Sequence, residues 1–155
     1  MSIDDLKSLM DDFEPATLLP ELENLSETLA TLMRFAVMVG PVILLVMGIL
    51  YLVAPPKEAN HYFGYRCWFG MGSVDAWRFT QKLAGIAWSA IGLILTLVMW
   101  LRSGRFADLE VMDLLWSAGR CVIWEVVLVA GTCLAINILA AIRFDAKGEL
   151  RRTKE

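Results

Sequence analysis

The 155-residue sequence has few of the groups on which soluble enzyme chemistry draws. It contains one histidine, His61, with no cysteine or second histidine at metal-ligand spacing. It contains no Gly-x-Ser-x-Gly elbow and no phosphate-cradling P-loop. Its three cysteines are scattered, Cys67 in a loop and Cys121 and Cys133 in an apolar run, and fit neither a disulfide framework nor a CxxC metal site. No basic face is wide enough for nucleic acid. The composition therefore points away from an enzyme, a bound metal or another cofactor. Charge is scarcest of all in three long stretches. Residues 35–54 and 83–101 carry none, and residues 121–142 carry only Glu125.

What is present is apolar. Hydrophobic residues make up 57% of the chain and the mean hydropathy is +0.57, too high for a domain that must cover itself with polar surface. Each stretch is near the roughly 20 residues that a helix needs to cross about 30 Å of hydrocarbon. The expected fold is an all-α membrane protein with three transmembrane helices, an amphipathic N-terminal helix and an interfacial helix between spans two and three. Its organisation is an acidic segment 1–34, a membrane domain 35–142 with a loop at 55–82, and a charged tail 143–155.

Residues 1–34 hold eight acids and two bases, and the first long apolar run begins only at Phe35, so this segment does not read as a cleaved signal peptide. Ile3, Leu6, Leu9, Met10 and Phe13 recur at helical spacing opposite four aspartates, and Pro15 ends that pattern. Leu18, Leu22, Leu25, Leu29 and Leu32 then form a seam at spacings of four and three. The seam suits packing on the chain's own bundle or the membrane surface better than a partner coiled coil, because it is under three heptads long. Gly40, Pro41 and Gly48 in span one are tolerated as membrane helices tolerate them, or mark a hinge. Gly85, Ala87, Ser89, Ala90 and Gly92 give span two one face of small residues suited to close helix packing. Phe106, Leu109, Met112, Leu115 and Trp116 recur among acids, which predicts a surface-lying helix at the outer interface.

Lysine and arginine number five on the side of the N-terminus and of the loop after span two, against nine on the other side. The expected orientation is N-terminus outside, with loop 55–82 and the C-terminus in the cytoplasm. Span three carries the intramembrane polar candidates. Glu125, near its outer end, is read as an interfacial ion pair with Arg102, Arg105 or Arg120, or as a proton or ligand group. Asn137, near the other end, is expected to make an interhelical hydrogen bond.

The loop after span one concentrates the information. Seven of the sixteen aromatics fall between Asn60 and Thr80, interleaved with Arg66 and Arg78, which suits the headgroup layer of the membrane. Ser73 followed by Val-Asp-Ala-Trp is expected to cap a helix that runs through Trp77 and Gln81 into span two. Arg66 is a cation in need of an acceptor, whether a helix C-terminal carbonyl, Asp75 or a lipid phosphate.

The spacing Asn60-x3-Gly64-x-Arg66, then Trp77 eleven residues on and Gly85 eight further, resembles the signature of the SdpI family of bacterial membrane proteins. Phe144-Asp145-Ala-Lys-Gly148 resembles the FD-x-x-G tail that often follows its last span. The likeness runs from about Val42 to Leu150. Cys67-Trp68 stands where the family usually has Thr-Pro, and Gln81 where Asn or His is common. The resemblance implies a bacterial cytoplasmic-membrane protein, non-enzymatic and without a cofactor. Its expected role is immunity to a secreted antimicrobial peptide, or signalling by sequestration of a cytoplasmic regulator. Asn60, Gly64, Arg66, Trp77, Gln81 and Gly85 would form the shared site or scaffold, and the expected partners are membrane lipid and a peptide toxin or a regulator. The alternative is a structural or accessory subunit of a larger membrane complex, with the small face of span two and the leucine seam as subunit contacts; a homo-oligomer is a further association open to the chain.

Overall fold

Pro15 stands at the first position of a helix, where its missing N–H costs nothing, and that helix, α1, continues unbroken to Val53. The computed structural model describes residues 15–59 and 63–151, with side chains from residue 24 onward. The expected amphipathic helix over residues 3–13 lies outside the described residues. Among the described residues the architecture is all-helical: α1 (Pro15–Val53), α2 (Val74–Ser103) and α3 (Val111–Arg143), with single 3-10 turns at Phe69–Met71 and Phe106–Asp108. All three helices are long and apolar enough to cross a membrane.

Each helix outruns its apolar stretch. α1 has 39 residues, about 58 Å at 1.5 Å per residue, so the leucine seam and span one form a single rod. Leu29 of the seam packs on the core, whereas Leu25 and Leu32 face outward. α2 begins at Val74, ahead of its apolar stretch, because Ser73 caps it there. Pro41 lies inside α1 and is fully buried, and the helix continues through it although Val37 O loses its intrahelical donor.

The expected surface-lying helix between spans two and three takes another form. Phe106 sits in a 3-10 turn and is buried against a cluster that includes Ala30 and Leu114, and from Val111 the chain runs straight into α3. Of the residues in the expected pattern, Phe106 and Leu109 pack on the protein, whereas Met112, Leu115 and Trp116 stay exposed on the first turns of α3. Gly119, alone and with no proline near it, does not break the helix.

α1 and α2 pack antiparallel along the small-residue face of α2. A Cβ on Gly92 would stand 2.7 Å from Leu45 Cα, and one on Gly85 would stand 2.9 Å from Leu52 Cγ and 3.2 Å from Gly48 O. Ser89 meets Gly48 in the same seam. The backbones approach this closely only because side chains are missing between them. α3 runs parallel to α1 and packs less extensively on the pair. Two buried clusters result. One joins Val37, Leu95, Met99 and Phe106 to Leu114 and Cys121, and the other, at the loop end, joins Tyr51, Tyr65, Cys67 and Ala84 to Ile136 and Ala140.

Candidate functional site

The first turns of α2 are the base on which loop 55–82 is fastened. Ser73 has extended backbone (φ -150°, ψ 164°), and its hydroxyl accepts from Ala76 N at 3.1 Å, the N-cap bond that the sequence suggested. The same hydroxyl donates to Gly148 O at 2.6 Å, which ties the C-terminal tail to the start of α2. Trp77 and Gln81 are four residues apart and therefore share one helix face, with Gly85 one turn further along it. Trp77 is fully buried, and its Nε1 donates to Pro56 O at 2.9 Å.

Gln81, also fully buried, holds the backbone of Tyr65 at both ends. Its Oε1 accepts from Tyr65 N at 2.8 Å and its Nε2 donates to Tyr65 O at 2.7 Å. A carboxamide has one acceptor and one donor end, so it pairs with the N–H and C=O of a single residue as the facing residue of a neighbouring antiparallel strand would. Gly64 makes room for this. Its φ is +126°, and a Cβ there would stand 2.6 Å from Trp77 Cζ2 and 3.1 Å from Gln81 Oε1, so conformation and space both demand glycine.

Tyr65 carries the fastening across to α3. Its hydroxyl donates to Cys133 O at 3.0 Å and accepts from Asn137 Nδ2 at 3.0 Å, while Asn137 Nδ2 also donates to Cys133 O at 2.9 Å. The ring stands edge-on to Trp88 at 5.5 Å. Burial raises the Tyr65 phenol well above the ordinary tyrosine range, the nearby Cys133 and Cys67 add to the rise, and the Asn137 hydrogen bond partly opposes it. Burial likewise pushes the Cys67 thiol up, offset in part by Gly70 N, which donates to its Sγ at 3.3 Å. Both groups are thus held neutral.

The tail closes the assembly. Asp145 Oδ1 accepts from Lys147 N at 2.9 Å and from Glu149 N at 2.8 Å, bending the chain so that Phe144 and Leu150 form an isolated bridge. Gly148 has φ +77° and lies against Ser73, where a Cβ would meet Ser73 Cβ at 2.8 Å. Buried Phe144 pairs with Phe79 at 5.5 Å, and the Arg143 guanidinium lies 4.7 Å over the Phe79 ring.

Of the six motif residues, Gly64, Trp77 and Gln81 are therefore brought together, Gly85 lies one turn further along α2 against Leu52 and Gly48 of α1, and Asn60 lies outside the described residues. Arg66 is exposed on the outer side of the same loop, beside Trp68, which is 79% exposed. Tyr65 and Cys67 are central to the fastening and were not singled out by spacing, because their role comes from a backbone pairing and from burial that one-dimensional pattern does not display. Asn137 bonds to the loop through Tyr65 and not to a neighbouring helix. The polar groups at the centre of this assembly satisfy one another, so its chemistry is that of a rigid platform. A cavity of about 320 Å³ is lined by Tyr51, Leu52, Pro55, Pro56, Lys57, Arg78 and Lys82, three cations with no acid among the lining. Among the described residues no group of three or more His, Cys, Asp or Glu side chains is placed to hold a metal.

Glu125 stands apart from the platform. Because α3 starts at Val111, Glu125 lies about 21 Å along the helix at 1.5 Å per residue, not near its outer end. Its side chain turns into the bundle toward Gly40, and Oε1 is buried with no hydrogen-bond partner among the described residues. That differs from the expected interfacial pair with Arg102, Arg105 or Arg120, all of which point outward.

The model of the SdpI/YfhL protein family matches residues 57–142, just over half of the chain, taking in the fastened loop, α2 and nearly all of α3. No curated protein and no solved structure matches the chain.

Proposed function

The chain belongs to the SdpI/YfhL protein family, and from that membership we propose that it is a non-enzymatic membrane protein that recognises a polypeptide partner through the outer surface of loop 55–82. In this reading it gives immunity to an antimicrobial peptide, or holds a cytoplasmic regulator at the membrane. It sits in the bacterial cytoplasmic membrane with its N-terminus outside and its loop and tail inside.

The observation that carries the reading is the division of labour within the loop. Gly64, Trp77 and Gln81 lie on the inner side and fix the backbone, while Arg66 and Trp68 are exposed on its outer side. An arginine and a tryptophan on a rigid support are the side chains that dominate recognition surfaces, because little freedom is lost when they are covered. The test is survival of cells challenged with the cognate peptide. Arg66→Ala with Trp68→Ala should leave accumulation in the membrane unchanged and remove protection, and full protection by that double variant refutes the surface assignment.

A second reading, an accessory subunit of a larger membrane complex, draws on α3. The small face of α2 is already covered by α1, whereas a Cβ added to Gly131 of α3 would meet nothing within 4 Å. Mass measurement after purification in mild detergent decides it, since a lone chain or homo-oligomer counts against a hetero-complex.

A further inference from the structure

At mid-height of the bundle the three helices do not close on one another. A cavity of about 440 Å³ lies between Gly40, Pro41 and Met47 of α1, Trp88 and Leu95 of α2, and Glu125 of α3. Its volume falls in the range of small-molecule sites, about 300–1,000 Å³. Its rim includes Ile43 and Val126, which are 56% and 62% exposed on the apolar outer face, so a ligand enters from the lipid and not from water.

Glu125 is the only charged residue in the lining. It is 9% exposed, Oε1 has no hydrogen-bond partner among the described residues, and Oε2 is close enough to α1 that a Cβ at Gly40 would stand 2.8 Å from it. Glycine at position 40 leaves room for the carboxyl beside α1. Trp88 also lines the cavity, and its indole Nε1 is likewise buried without a partner among the described residues. An acid enclosed by hydrocarbon and an aromatic wall is costly to keep ionised unless a cation is supplied. An ammonium group supplies both a counter-charge for the carboxylate and a cation for an aromatic face.

We propose that this cavity is a binding site for a lipophilic ammonium compound, an apolar body carrying one protonated amine, with Glu125 as its counter-ion and Trp88 as an aromatic wall. The site adjoins the loop platform through Trp88, which also packs on Tyr65, and does not depend on the function proposed for that platform.

The test uses the full chain in nanodiscs of phosphatidylcholine, a lipid without net charge, with 1-adamantylammonium as probe and 1-adamantanol as its neutral counterpart. Saturable binding of the ammonium at one per chain is expected, at least tenfold tighter than that of the alcohol. Glu125→Gln should weaken the ammonium at least tenfold and leave the alcohol within twofold. Val129→Trp, at a half-buried position of the α3 wall, should fill the cavity and remove saturable binding of the ammonium. Absence of saturable binding, or equal affinity of the two probes for the native chain, overturns the proposal. So does a Glu125→Gln variant that keeps the preference for the ammonium. If Glu125→Gln does not fold, Val129→Trp decides alone, and unchanged binding by that variant is equally fatal.

Discussion

Replacing Gln81 by alanine is the most direct way to ask whether the loop is held as described. The change removes both bonds to Tyr65, at 2.8 and 2.7 Å, in a place where the side chain is fully buried and water cannot replace it. The Tyr65 N–H and C=O are then left unpaired at about 1–3 kcal/mol each, about 2–6 kcal/mol together. The spans themselves keep their packing, so the loss falls on local opening of the loop. Even about 2 kcal/mol multiplies the open population about thirtyfold. Cys67 reports that population, because it is 7% exposed when the loop is closed. Alkylation by a maleimide, with the labelled sites resolved by peptide mass spectrometry, should therefore accelerate at least about thirtyfold at Cys67 in Gln81→Ala. Cys121, 3% exposed in the core between the helices, serves as the internal control. An unchanged rate at Cys67, or an equal acceleration at Cys121, would show that Gln81 does not act as a loop fastener.

Other expectations follow from the same geometry. Gly148→Ala must adopt φ +77° and press a Cβ onto Ser73, at about 1–2 kcal/mol for the left-handed conformation alone; tryptic cleavage after Lys147 should accelerate severalfold, and an unaltered digestion pattern argues against the tail's attachment. Trp68→Cys, exposed where Cys67 is buried, should react with an impermeant maleimide only after cells are permeabilised; labelling of intact cells from outside reverses the proposed orientation. The pH dependence has a definite sign. Tyr65 and Cys67 have folded pKa values raised above their unfolded ones, so their contribution is complete below the unfolded values and is lost as pH rises through the folded ones. Loop opening, read by amide exchange, should therefore increase from above the ordinary thiol range upward and stay flat between pH 5 and about 8; increased opening on acidification contradicts this assignment.

Much of the fold was legible in sequence because lipid imposes a simple code. Uncharged runs of spanning length have few alternatives to helices, and the small face of span two marked a close contact before its partner was known. The Ser73 cap was equally plain, since a hydroxyl ahead of a helical pattern has one common use. Helix ends were less legible. α2 and α3 start well ahead of their apolar stretches, since a helix continues through polar residues until a cap or a turn stops it, and hydropathy does not record caps. The loop motif singled out residues and not how they pack. Gly64, Gln81 and Gly148 owe their identities to a backbone angle or to the backbone of a residue distant in sequence, and neither leaves a periodic trace. Glu125 was legible as an oddity, but its placement depended on where α3 begins.

The near-contact of backbones at Gly48 and Gly92 divides the bundle mechanically. Two rods that touch through main chain have interlocking profiles and resist sliding, so α1 and α2 move as one beam. α3 has no such backbone notch against either and is held through side chains at both ends, by Leu114, Ala118 and Cys121 in the first core cluster and by Tyr65, Asn137 and the tail at the other. Between these two moorings lies the stretch that carries Glu125, so the beam of α1 and α2 and the third helix stand apart only at their middle.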